Sequence, residues 1–320
     1  MTMSKLSCKE AIANRLLELA QNDRDIVVVS SDSRGSASLT KFADTLPQQF
    51  VEVGIAEQNL VAIAAGLAAC GKKVFAVAPA SFLSARAIEQ IKVDVGYNHT
   101  NVKLIGVSGG ISYGPLGLTH HSPNDIAAMT SLPGIRVYLP GDPLLSAKLI
   151  DRLVKDEEPA YIRVGRSGIE GCYDEAALKS KFMQDWAIIH DSPKGPGTAD
   201  LLIVSTGEIS GNALAAMQQL NEKGLSTALI DMYSLLPFDR DALLEYARCA
   251  KVVLTVEEHS PYGGLNALTA QTLAACPRPL FGLSLPDAPV ITGEAADVYA
   301  EYRLDTAGIV ETACRIFGME

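Results

Sequence analysis

The sequence predicts an α/β protein of two domains, each built on a parallel or mixed sheet. Short apolar, β-branched runs alternate with helix-period segments along most of the chain. That is the pattern of strands covered by helices on both faces. The alternation breaks once, between Ser167 and Asp200, in a stretch with turn chemistry that includes Asp191-Ser-Pro-Lys-Gly-Pro-Gly197. At 320 residues the chain also exceeds one typical core of about 150 residues. The expected organisation is a domain over 1–170, a linker over 171–199 and a second domain over 200–320.

In the first half, strands are expected at Ile26–Val29, Val74–Val77, Val102–Val107 and Ile135–Leu139, with helices near 8–20, 56–70, 82–96, 122–131 and 143–155. The linker carries one expected strand, at Trp186–Ile189. In the second half, strands are expected at Leu201–Val204, Ser226–Ile230 and Val252–Val256, with helices near 208–223, 239–248, 263–275 and 305–318.

The bulk numbers exclude some functions. A net charge of −10 with no basic cluster argues against a nucleic-acid partner. Six scattered cysteines lack any metal-ligand spacing and read as reduced core residues. No apolar run is long enough to span a bilayer and no signal peptide is evident, so the expected compartment is the cytoplasm.

Three segments carry chemistry. Val51-Glu-Val-Gly-Ile-Ala-Glu-Gln-Asn-Leu60 places a carboxylate, Glu57, at the start of an apolar helix that follows a short strand. Taken alone, this is equally what the helix dipole favours. Ser81-Phe-Leu-Ser-Ala-Arg-Ala-Ile-Glu-Gln90 places an aromatic, Phe82, at a strand-to-helix turn. Ser108–His120 is a glycine-rich loop after a strand that ends in a histidine, with His121 directly after it, and lacks any nucleotide-loop spacing.

Together, in this order, Gly54-Ile-Ala-Glu-Gln-Asn59, the Phe82 segment and Gly114-Pro-Leu-Gly-Leu-Thr-His-His-Ser-Pro123 resemble the pyrimidine-binding domain of transketolases. The region 190–320 resembles their C-terminal domain, so the chain resembles the β-type subunit of a split, two-polypeptide transketolase. The resemblance implies thiamine diphosphate, whose ring is activated by a carboxylate bonded to N1′ of its aminopyrimidine, and a divalent metal, magnesium. It also implies transfer of a two-carbon ketol unit between sugar phosphates. The family holds metal and diphosphate with a Gly-Asp-Gly motif that this chain lacks. The nearest segment, Gly141-Asp142-Pro143, has proline where a backbone N–H is needed. A metal-binding α-type partner and an α₂β₂ assembly are therefore expected, with this chain inactive alone.

The same resemblance assigns roles. Glu57 is the catalytic carboxylate, Phe82 the ring-stacking aromatic, and His120 contacts sugar oxygens and shuttles protons. Asp32 lies near the thiazolium, and Ile88, with Ala85, replaces family aromatics in the cofactor wall. Ser36, Arg166 and Arg163 are expected at the substrate phosphate, with Lys9 nearby. Ser108 and Leu116 stand where the family has a substrate-contacting histidine and aspartate, which points to an unusual or branched sugar. His121 has no assigned role, and Glu257-Glu258-His259 with Tyr262-Gly-Gly264 reads as structural. Two alternatives are the β-type half of a 2-oxo acid dehydrogenase, which shares both domains, and a non-catalytic scaffold subunit.

Overall fold

The structure is a computed structural model that describes residues 5–175, 178 and 186–319. Its first sheet has seven strands. In chain order these are β1 (Ile26–Ser30), β2 (Phe50–Glu52), β3 (Lys73–Pro79), β4 (Val102–Val107), β5 (Arg136–Tyr138), β6 (Ala160–Arg163) and, much later, β10 (Ser234–Leu236). Across the sheet they run β10-β5-β6-β4-β3-β1-β2. All neighbours are parallel except β10, which pairs antiparallel with β5. The second sheet holds β7 (Ile188–His190), β8 (Leu201–Ser205), β9 (Thr227–Asp231), β11 (Val252–Val256) and β12 (Leu280–Leu283), in the order β12-β11-β8-β9-β7. Only β7 is antiparallel there.

Two strands cross the expected boundaries. β7 lies inside the segment expected as linker, close to the strand expected at Trp186–Ile189, and forms the edge of the second sheet. β10 leaves the second half of the chain to complete the first sheet. One apolar cluster accordingly joins both halves, holding Leu104 and Val137 together with Leu202, Ile230 and Leu235. Each such side chain, fully buried, contributes about 1.5–3 kcal/mol of transfer free energy.

The parallel strands are the continuous β-branched runs, and burial explains why. Every residue of β1, β4, β8 and β9 is buried, so neither face selects polar residues. The helix expected over 82–96 is instead broken. A helix over Ala80–Arg86 ends at Ala87, and Ile91–Tyr97 is π-helical. The cysteines correct an expectation as well: all six are free, but only Cys8 is buried, while Cys70 and Cys249 are exposed. No helix among the described residues is long and apolar enough to cross a membrane.

Buried carboxylates give the second domain a pH dependence. Asp231, at the end of β9, accepts from Ser210 Oγ (2.8 Å) and Tyr173 Oη (2.6 Å). Burial raises its carboxyl from 3.8 to about 7. Glu257 caps the helix Leu265–Leu273 through Leu265 N (2.6 Å) and Asn266 N (2.9 Å), and burial raises it from 4.5 to about 7. An acid whose folded value is raised binds its proton more tightly when folded. Its stabilisation is complete below the unfolded value and is lost as pH climbs through the folded one. Urea unfolding at stepped pH is expected to show stability declining from about pH 4 to about pH 7, and Asp231→Asn is expected to flatten part of that slope.

Candidate active site

Glu57 opens the helix Glu57–Ala69, whose apolar face (Leu60, Val61, Ala64, Ala65) is buried against the first sheet. The turn from β2 needs Gly54, which sits at φ +74°, so that the chain can reverse and present Glu57 at the helix start. The carboxylate is buried, 6% exposed, and Oε1 accepts from Arg86 Nη1 at 2.9 Å. Arg86 ends the neighbouring helix Ala80–Arg86, and its guanidinium lies 3.8 Å from the centroid of the Phe82 ring.

From Phe82 a continuous row of side chains leads away from Glu57. The Phe82 and His120 rings meet edge-on, with centroids 5.1 Å apart, and His120 meets Tyr113 at the same distance. The Arg166 guanidinium then lies 4.9 Å from the Tyr113 centroid. Lys9 completes the row. Its ammonium donates to Ser36 O at 2.7 Å, and its value is lowered by burial and by the nearby Arg166 charge. A carboxylate at one end, a histidine in the middle and two converging cations at the other would suit a molecule with a ring to hold and an anion to grip.

A local contact orients the His120 ring. Thr119 Oγ1 donates to Leu116 O (3.3 Å) and lies 2.9 Å from His120 Nδ1. That contact holds the ring by its Nδ1 edge. The supporting segment Gly114–Thr119 is a short 3₁₀ stretch, in which Gly117 at φ +70° makes the kink.

Glu57, Phe82, His120, Ser36 and Arg166 are thus brought together, with Lys9. Four other expected residues stand apart. Arg163 is not a surface cation: it is 5% exposed, with Nη2 bonded to Glu258 O (3.0 Å) and Oε2 (3.2 Å) and Nε 3.4 Å from Asp125 Oδ2. Burial opposes its charge, but Asp125 and Glu258 outweigh that and raise its value. Strand β6 is covered on both faces, so an arginine there must find buried acids. Ser108 is also enclosed, fully buried with no hydrogen-bond partner for its hydroxyl among the described residues. It therefore does not reach the opening where a histidine was expected. Asp32 is exposed at φ +49°, its N–H donating to Glu52 Oε1 at 2.7 Å, and its side chain enters none of the contacts of the row. Ile88 is 37% exposed, two residues beyond Arg86 on the outer surface.

Arg86 and His121 had no assigned role from sequence, and Glu258 and His259 were read only as structural. Arg86 stands four residues after Phe82, a helical spacing that places one side chain over the other. Glu258 accepts from Ile111 N (2.7 Å) and Tyr299 Oη (3.0 Å), holding the glycine-rich loop from the second domain. Its neighbour His259 accepts from Ala127 N (3.2 Å) through Nε2, and Ser260 N donates to Pro123 O (2.7 Å). His121 is buried, with Nε2 bonded to Gly114 O at 3.0 Å, so it braces the segment that carries His120. Only long-range pairing reveals what Glu258 and His259 hold.

The site fits an aminopyrimidine. The planar guanidinium of Arg86 already makes both contacts such a ring requires, a hydrogen bond to Glu57 and a stack on Phe82. By contrast, Asp142 does not fit a metal ligand. Its Oδ1 caps the helix Pro143–Leu153 through Leu144 N (2.7 Å) and Leu145 N (3.1 Å), and its Oδ2 takes Cys172 N (2.7 Å).

Comparison with known proteins gives the family. The family "Transketolase, pyrimidine binding domain" matches residues 4–170, and "Transketolase, C-terminal domain" matches 194–309. The chain belongs to the transketolase family. It is 43% identical to the B-type subunit of an apulose-4-phosphate transketolase from Phocaeicola vulgatus, over 98% of each chain. It is 34% identical to the protein of that description from Actinobacillus succinogenes, over 96% of this chain and 99% of that one. A solved structure described as a split gene transketolase, inactive beta4 tetramer, superimposes with a TM-score of 0.82 at 31% identity, over 97% and 98% of the two chains. The chain therefore has the make-up of the β subunits of split transketolases.

Proposed function

We propose that this chain is the β-type half of a thiamine-diphosphate-dependent transketolase, active only with a separate α-type subunit that holds the diphosphate and magnesium. The observation that carries this is the row from Glu57 through Phe82 and His120 to Arg166 and Lys9. When bound, thiamine diphosphate supplies the carbanion chemistry that breaks and remakes a carbon–carbon bond next to a carbonyl. The chain's own residues do the rest. Glu57 holds N1′ of the aminopyrimidine from a dry wall, where a charge-assisted hydrogen bond is strong. Phe82 supports the ring face, and His120 Nε2 accepts from and returns protons to sugar hydroxyls. Arg166 and Lys9 grip the terminal phosphate. Ile55, two residues before Glu57, and Tyr97 are 75% and 80% exposed, large apolar side chains suited to contact with a partner subunit.

The substrate we propose is a branched-chain ketose phosphate. Leu116, 52% exposed in the His120 loop, offers no hydrogen bond where the family resemblance expects an aspartate. Apulose 4-phosphate, named for two relatives, is the first compound to test. The test is to isolate the complex through a tag on this chain from cells that make it, then assay carbon–carbon cleavage with apulose 4-phosphate, xylulose 5-phosphate and pyruvate. Turnover of a ketose phosphate supports the proposal. Turnover of pyruvate alone points instead to the 2-oxo acid dehydrogenase class, and none at all to a scaffold.

Arg166→Ala and Lys9→Ala are each expected to raise KM for the phosphorylated sugar by about 10- to 100-fold, as loss of a charge-assisted contact of about 1.5–3 kcal/mol requires. An unphosphorylated analogue is expected to show little change, which steady-state kinetics with both substrates checks.

A further inference from the structure

We propose that Arg86 occupies the aminopyrimidine slot in the unloaded subunit and thereby sets how tightly the cofactor binds. The proposal rests on Glu57 and Phe82 being the pyrimidine contacts. Arg86 Nη1 is bonded to Glu57 Oε1 at 2.9 Å, and Arg86 Cζ lies 3.8 Å from the Phe82 ring centroid. A guanidinium is flat, delocalised and weakly hydrated, so it stacks and donates much as an aminopyrimidine edge does. Both ligands need one carboxylate edge and one ring face, and the two cannot be shared.

The asymmetry of exposure makes the exchange workable. The Arg86 side chain is 47% exposed, whereas that of Glu57 is 6% exposed. Arg86 can swing into water at little cost, because an exposed guanidinium stays hydrated. Glu57 cannot follow, and a buried carboxylate without a partner is strongly unfavourable. The resident cation therefore satisfies Glu57 until the ring arrives, and loading becomes a swap rather than a capture. Arg86 is also the last residue of its helix, so its departure unwinds nothing. Apparent affinity is then the intrinsic affinity multiplied by the fraction of subunits with Arg86 swung out.

The test uses the assembled complex, stripped of cofactor and titrated calorimetrically with thiamine diphosphate and magnesium. Arg86→Met keeps the stem and removes the competing head. It is expected to lower Kd by at least about fivefold and to speed loading, with Arg86→Lys in between. Glu57→Gln and Phe82→Ala are expected to raise Kd. In this chain alone, Arg86→Met is expected to lower the melting temperature, and adding Glu57→Gln to recover it. An unchanged or raised Kd in Arg86→Met, with Glu57→Gln and Phe82→Ala still weakening binding, overturns the role of Arg86 and leaves the cofactor site intact. If neither Glu57→Gln nor Phe82→Ala alters Kd, the pyrimidine assignment falls and this proposal falls with it.

Discussion

Glu57→Gln in the assembled enzyme is expected to lower ketol transfer by about 10³-fold while leaving the fold in place. The carboxylate is 6% exposed and sits at the start of a helix whose apolar face anchors it in the first sheet. Glu57 would hold the aminopyrimidine at N1′ through a charge-assisted hydrogen bond, and the bound cofactor would supply the carbanion chemistry. A glutamine amide keeps the size and one acceptor but loses the charge. A positioned acid–base group is worth about 10² to 10⁴ in rate, and the dry wall puts this one within that range. Steady-state rates of the paired subunits, with circular dichroism of each, check the result. Because the amide is neutral, it no longer needs Arg86 as a counter-charge, so stability is expected to hold or rise slightly.

Arg163→Met is expected to act in the opposite way, destabilising the chain by about 3–5 kcal/mol, because removing the cation leaves Asp125 and Glu258 as buried charges without compensation. Tyr161 Oη donates to Asp125 Oδ2 at 2.7 Å, and Tyr299 Oη to Glu258 Oε1 at 3.0 Å, so the neighbouring groups are also committed to this cluster. The effect reaches the site through Ile111 N, which Glu258 holds at 2.7 Å at the root of the His120 loop. Urea unfolding checks the magnitude. A variant with normal stability but a raised KM for phosphate would instead restore Arg163 to the substrate.

Much of this arrangement was readable in the residues themselves. The strands β1, β3, β4, β8, β9 and β11 announce themselves as β-branched runs because burial on both faces removes polar alternation. The segments around Glu57, Phe82 and His120 were legible as family segments because they keep a recognisable order. Arg163 and Arg166 could not be told apart by composition. They stand three residues apart, and only the distant Asp125 and Glu258 decide which of them is buried. β10 was illegible for a similar reason: three residues, Ser234–Leu236, become a strand only because β5 leaves an edge to pair with. The break at Ala87 and the π-helical Ile91–Tyr97 likewise follow from packing that helical periodicity does not encode. Arg86 was within reach, since its spacing from Phe82 puts its head over the ring.

The most direct measurement of the central claim is the stoichiometry of thiamine diphosphate uptake by this chain alone, by the partner alone and by the two together, in magnesium buffer. The account predicts no saturable uptake by either subunit alone and one cofactor per copy of this chain in the pair. Tight uptake and turnover by this chain alone, or a pair that takes up none, would contradict it.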